Sequence, residues 1–148
     1  MRLVFICTGN TCRSPMAEGL ARNVFGPHIL VGSAGLAAWE GDSASRQAIE
    51  VLKEKGIDLT AHQARRVNSE LLAEADWIVP MTEVHERRLK VMFPEHAVRI
   101  KRLGAWSSQG EICDISDPYG GSVEIYRQCA EKMEVLIAEI KKKLDNLS

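Results

Sequence analysis

The chain has 148 residues, 45% of them hydrophobic, which suits one globular domain spanning residues 1–148 with a full core. Its net charge of −1 gives no overall attraction to nucleic acid or to a membrane surface, so any anion recognition has to be local. No apolar run approaches the roughly 18 residues of a spanning helix, and the chain enters a strand pattern without a basic leader and cleavage site, so a cytoplasmic protein is expected.

The first apolar run, Leu3-Val4-Phe5-Ile6, predicts a strand over 2–6 and delivers the chain to Cys7-Thr8-Gly9-Asn10-Thr11-Cys12-Arg13-Ser14. Gly9 and Asn10 tolerate the left-handed or bridge conformations of a tight loop, in which successive backbone N–H groups converge on an oxyanion. Ser14 followed by Pro15 reads as an N-cap with proline at the first helical position, so a helix should begin here with its positive end toward the same point. Arg13 adds a planar fork of donors matched to two phosphate oxygens. Such surroundings favour the thiolate form of Cys7, and a thiolate can attack phosphorus. Alone, a cysteine ending a buried strand reads as core packing. The spacing Cys-x5-Arg-Ser at a strand-to-helix turn does not, and the absence of a Gly-Lys-Ser/Thr ending separates it from the nucleotide-binding loop.

Further strands are predicted over 29–33, 76–81 and 98–102, alternating with helical patterns. Between them Ala44, Ala48, Val51 and Leu52 mark the inward stripe of a helix that Gly56 ends. The last helix is the clearest: Tyr126, Cys129, Ala130, Met133, Leu136, Ile137, Ile140 and Leu144 recur at helical spacing, and Lys141, Lys142 and Lys143 suit its negative end. The fold class is therefore α/β, a three-layer, doubly wound, four-stranded parallel sheet with helices on both faces. In such sheets ligands gather beyond the carboxyl ends of strands, where Cys7 lies. Residues 107–122, with three glycines and a proline, read as a loop able to fold over that edge and bring Asp117 to Cys7. Asp117 precedes Pro118, which biases it toward an extended conformation; Asp114 is the less favoured acid.

Four cysteines (7, 12, 113 and 129) and four histidines (28, 62, 85 and 96) show no ligand spacing, so no metal or other cofactor is expected. Cys129 reads as core; Cys113 has no assignment. Cys12 shares the loop with Cys7, and a reversible Cys7–Cys12 disulfide would protect the nucleophile from irreversible oxidation, which makes redox regulation an expectation. Trp39, in a Gly/Ala-rich loop, reads equally as a pocket wall or a cover for the core edge.

The chain resembles the low-molecular-weight protein tyrosine phosphatases along nearly its whole length. The residues that carry the resemblance are Val4-Phe5-Ile6 with the loop through Glu18, Ser33-Ala34-Gly35, the run Ile78 to Met81, and Asp117-Pro118-Tyr119-Gly120. It implies catalysis by Cys7 as nucleophile, Arg13 as phosphate holder and Asp117 as general acid, through a phosphocysteine intermediate. Thr8, Gly9, Asn10, Thr11, Cys12 and Ser14 form the expected binding loop, with Asn10 holding its shape and Ser14 either capping the helix or, as the family implies, donating to Cys7 sulfur. Tyr119 is the expected pocket wall. Thr11, where tyrosine-specific members commonly carry a larger aliphatic residue, and Gly120 make the chain most similar to the bacterial protein arginine phosphatase branch. Phosphoarginine carries a polar guanidinium that wants acceptors and a planar wall, which Thr11, Asp117 and Tyr119 could supply. Arginine is thus preferred over tyrosine as the phosphorylated residue. The implied partners are phosphorylated proteins, marked by an arginine kinase in a bacterial stress response, and the chain is expected to act as a monomer. Thioredoxin-coupled arsenate reductases share the loop but need further cysteines after the third strand, and the stretch Thr82 to Phe93 has none. The reading from another class is a non-catalytic anion sensor, or a redox sensor using Cys7 and Cys12; Cys7, Arg13 and Asp117 together argue for turnover, because a binding module needs neither thiolate nor proton donor.

Overall fold

Leu3 to Cys7 are all buried, and a strand with no exposed face belongs at the centre of a sheet covered on both sides. In a computed structural model, which describes residues 1–110 and 114–147, this strand, β1 (Arg2–Cys7), lies between β2 (Leu30–Gly35) and β3 (Trp77–Pro80), all parallel. The register sets Cys7 opposite Gly35 and Ile6 opposite Pro80, so all three strands end beside the loop that follows Cys7. Strand pleating then divides the core. Leu3, Phe5 and Cys7 face α1 (Arg13–Phe25), α2 (Arg46–Glu54) and the long α5 (Val123–Asp145). Val4 and Ile6 face Leu72 of α3 (Ser69–Ala73) and Leu89 of α4 (Glu83–Met92).

The eight apolar positions expected along the last helix are all buried in α5, and Lys143 near its end donates to the Trp106 carbonyl at 2.7 Å, tying the helix to the turn Leu103–Trp106. Ser45, Asn68, Thr82 and Ser122 cap α2, α3, α4 and α5, each side chain accepting a bond from a backbone N–H of the first turn. The free edge of β2 is occupied by guanidinium groups: Arg22 donates to Val31 O at 3.0 Å and Arg65 to Ser33 O at 2.9 Å.

The expected fourth strand is the principal difference. Residues Pro94–Arg99 wind into a 3₁₀ helix, and only Ile100 meets the sheet, through a single parallel bridge to Ile78 and a bond from Lys101 N to Ile78 O at 2.9 Å. The cause is the lack of an inward face. Val98 is 88% exposed, Ile100 alone is buried, and Arg99 is drawn away to the carbonyls of Leu72 and Ala75 at the end of α3. Among the described residues the sheet is therefore three-stranded, with that bridge where a fourth strand would add. Among the described residues no helix is long and apolar enough to cross a membrane.

Candidate active site

The loop after β1 turns through Asn10, whose φ of 56° makes it the only described non-glycine residue with left-handed backbone. Its side chain explains why asparagine stands there. Asn10 Oδ1 accepts from Arg65 N at 3.0 Å, while Nδ2 donates to Ser14 Oγ at 2.7 Å and to Ser33 Oγ at 3.0 Å. Ser33 passes its own hydrogen to Glu18 at 2.8 Å, and the Asn10 carbonyl lies 2.8 Å from His62 Nε2. Asn10 donates to Ser14 Oγ, so the serine hydrogen points to an acceptor of its own, and Cys7 Sγ at 3.0 Å is nearer than the Ala34 carbonyl at 3.5 Å. A backbone donor, Asn10 N, reaches the same sulfur at 3.3 Å.

Ser14 is thus not the helix cap that its place before Pro15 suggests. α1 begins two residues earlier than that, at Arg13 instead of Pro15, and Cys12 at its N-cap makes no side-chain capping bond. The hydroxyl is turned to the sulfur instead, and the first-turn N–H groups of α1 keep no side-chain partner at the cap, as an anion site requires. Pro15 remains acceptable because it still lies in the first turn.

Cys7, Thr8, Gly9, Thr11, Cys12, Arg13, Asp117 and Tyr119 line one cavity of about 260 Å³. Of the residues expected at the site from sequence, only Asn10 and Ser14 stand outside that lining. Both are fully buried behind it and shape the loop and the sulfur rather than touching a ligand. Arg13 is buried, held by a bond from Nη1 to Ile115 O at 2.9 Å, and sits 3.7 Å from the Asp117 carboxylate. Its Nε is buried without a partner, a donor left over for a ligand oxygen. Asp117 accepts from Tyr119 N at 3.0 Å, an Asx turn that fixes the Asp-Pro-Tyr bend, and Tyr119 stands 79% exposed at the rim. Asp114 is occupied elsewhere, accepting from Glu83 N at the start of α4. Trp39 is 77% exposed and not among the cavity-lining residues, so it neither walls the cavity nor covers the core.

Cys12 is buried with its sulfur 3.1 Å from the Tyr126 hydroxyl, and both cysteines of the loop are free thiols. Burial, with Cys12 alongside, pushes the Tyr126 phenol up to about 12, so it stays protonated. Burial also pushes the Cys129 thiol up to about 11, as befits a core residue; Cys113 lies outside the described residues. The second layer around the loop was not legible from local pattern. His85 of α4 lies 2.9 Å from Thr8 Oγ1, and burial, reinforced by the Arg13 cation, pushes its imidazole down to about 4. Nothing in the spacing of His62, Arg65 or His85 marks them; only the unmet valences of Asn10 and Thr8 hint that partners must exist.

This constellation can stabilise a bound oxyanion, present a sulfur nucleophile to it and place a carboxyl group over the opposite side. Comparison with known proteins agrees. Residues 2–147 match the family described as low molecular weight phosphotyrosine protein phosphatase. A protein-arginine-phosphatase of Geobacillus stearothermophilus is 42% identical, the match covering 97% of this chain and 95% of that protein. A low molecular weight protein-tyrosine-phosphatase, PtpB of Staphylococcus haemolyticus, is 38% identical over 95% of this chain and 98% of its own. Among solved structures, the C7S mutant of the YwlE arginine phosphatase with a phosphorylated active-site serine superposes with a TM-score of 0.91 at 34% identity, covering 98% of this chain and 96% of that one.

Proposed function

The chain belongs to the low molecular weight phosphotyrosine protein phosphatase family, and from that premise we propose that it is a protein-arginine phosphatase working through Cys7, Arg13 and Asp117. The observation that carries the reading is the single cavity in which the Cys7 sulfur, the unpartnered Arg13 Nε and the Asp117 carboxyl group meet beside the Thr11 side chain.

In the first step Cys7 Sγ attacks phosphorus as the phosphorus–nitrogen bond breaks. The departing guanidine nitrogen takes a proton from Asp117. Arg13, the loop N–H groups and the start of α1 hold the phosphoryl oxygens, whose charge changes most at the transition state. Water then attacks the phosphocysteine, giving its proton to Asp117, and the sulfur leaves as thiolate with phosphate as product. The Ser14 hydroxyl donates to that departing sulfur. No residue of the scheme needs a partner outside the cavity and its buried support.

Arginine is favoured because the cavity wall carries the Thr11 hydroxyl rather than an aliphatic side chain, and a guanidinium has donors to satisfy where a phenol ring has none. The tyrosine reading draws on Tyr119, an aromatic rim residue able to stack on a phenyl ring, and on the similarity to the Staphylococcus enzyme. Rates on matched phosphoarginine and phosphotyrosine peptides decide between them, with Cys7→Ser as the inactive control. Thr11→Ile should lose phosphoarginine activity while keeping or gaining phosphotyrosine activity; a parallel fall in both would remove the specificity argument. A cytoplasmic, monomeric enzyme acting in a stress response is the setting this reading implies. Cys12 would then guard Cys7 by a reversible disulfide, so Cys12→Ser should make inactivation by peroxide harder to reverse with thiol. Unchanged recovery would count against that role.

A further inference from the structure

Thr8 is the first residue after Cys7, exposed to the cavity, and its hydroxyl can act either as donor or as acceptor. Which of these it presents depends on its neighbour. His85, 5% exposed, comes from α4 with its backbone N–H capped by Thr82 Oγ1 at 3.1 Å and its Nε2 2.9 Å from Thr8 Oγ1. The other ring nitrogen, Nδ1, is buried without any partner.

Two neutral tautomers are available, and the surroundings separate them. A hydrogen on Nδ1 would be a buried donor with nothing to receive it, the rarer and costlier kind of orphan. The hydrogen therefore sits on Nε2 and is donated to Thr8 Oγ1. Having accepted that bond, Thr8 keeps its own hydrogen free on the cavity side.

We propose that His85 is a positioning residue of the site: its Nε2–H fixes the Thr8 hydroxyl as a donor into the cavity, where it meets an oxygen of the phosphoryl group. The inference rests on the phosphatase reading given above. It assigns Thr8 to the phosphoryl group and leaves Thr11 to the remainder of the substrate.

Two measurements test it. Long-range ¹H–¹⁵N spectra of the imidazole in the wild-type protein should show the neutral Nε2–H form of His85 at pH 7; the Nδ1–H form would overturn the proposal whether or not the protein dephosphorylates anything. Steady-state hydrolysis of p-nitrophenyl phosphate tests the consequence. Loss of one oriented hydrogen bond corresponds to about a tenfold fall in kcat/KM for His85→Leu and a similar fall for Thr8→Val. The double variant should be no worse than the poorer single, because both changes remove the same donor. His85→Gln, whose amide nitrogen can reach the place of Nε2, should recover most of the activity. Losses that multiply in the double variant, or a glutamine as poor as leucine, would refute the role. If His85→Leu does not fold, Thr8→Val, His85→Gln and the spectrum still decide it. A wild-type protein without any hydrolysis of the aryl phosphate would instead refute the phosphatase reading, with the tautomer still read independently.

Discussion

Asn10 holds a backbone conformation that most side chains avoid and uses three side-chain hydrogen bonds to remain there, two of them toward serines that end at Glu18 and at the Cys7 sulfur. Two effects are therefore separable by substitution. Asn10→Gly keeps easy access to the left-handed region and deletes the bonds; Asn10→Ala deletes the bonds and adds backbone strain, of order 1 kcal/mol. Both variants should fall by at least tenfold in kcat/KM, since Ser14 is no longer steered to the sulfur. In urea unfolding, alanine should be less stable than glycine by about 1 kcal/mol. Equal stabilities would mean that the side-chain bonds, not the backbone, set the loop. Cys7, Arg13 and Asp117, which line the cavity, were legible because each carries a chemistry that its neighbours in sequence reinforce. His85 and Arg65 were not, because they complete the valences of loop residues from 55 to 77 positions away.

Elements were legible in proportion to how many of their residues obey one pattern. α5 carries eight inward positions at helical spacing and forms as read, whereas residues 98–102 offer one buried side chain, Ile100, and yield a single bridge. The junction of β2 with the loop after β1 shows an element acting directly on the candidate site. A Cβ built on Gly35 would stand 2.6 Å from Thr8 O and 3.0 Å from Asn10 N, both backbone atoms that cannot swing aside. The same stretch is pinned by Leu36 N to Cys7 O and Ala37 N to Thr8 O, each 2.9 Å. Gly35→Ala must therefore push the loop rather than a side chain. It should cost about 1–3 kcal/mol of stability, the usual range for overpacking. It should also lower kcat/KM more than a Gly41→Ala change, where the left-handed φ of 88° strains the backbone but a Cβ meets nothing within 4 Å and pushes no part of the loop. Activity equal to wild type in Gly35→Ala would show that the loop tolerates displacement at Thr8 and Asn10.

The molecule as a whole keeps an imidazole neutral behind a cavity that Arg13 lines, and that arrangement links folding to pH. His85 is pushed down to about 4 from an ordinary 6.5, chiefly by burial and then by Arg13 and Arg88. Between those two values the unfolded chain binds a proton that the folded chain refuses, so stability rises with pH across the window and this contribution levels off above it. The carboxylates with resolved shifts, Glu54 and Asp58, are lowered from 4.5 and 3.8, so their contributions are lost only as pH falls below those values and do not mimic the histidine. From pH 7 to pH 5 the His85 contribution amounts to about 2 kcal/mol of lost stability. Comparing wild type with His85→Gln cancels the remaining histidines, because glutamine does not titrate. Urea unfolding at pH 7, 6 and 5 should show the wild type losing about 2 kcal/mol more than the variant, with most of the divergence below pH 6.5. Parallel stability curves would mean that His85 protonates as readily in the folded protein as in the unfolded chain, and that burial beside Arg13 does not hold it neutral.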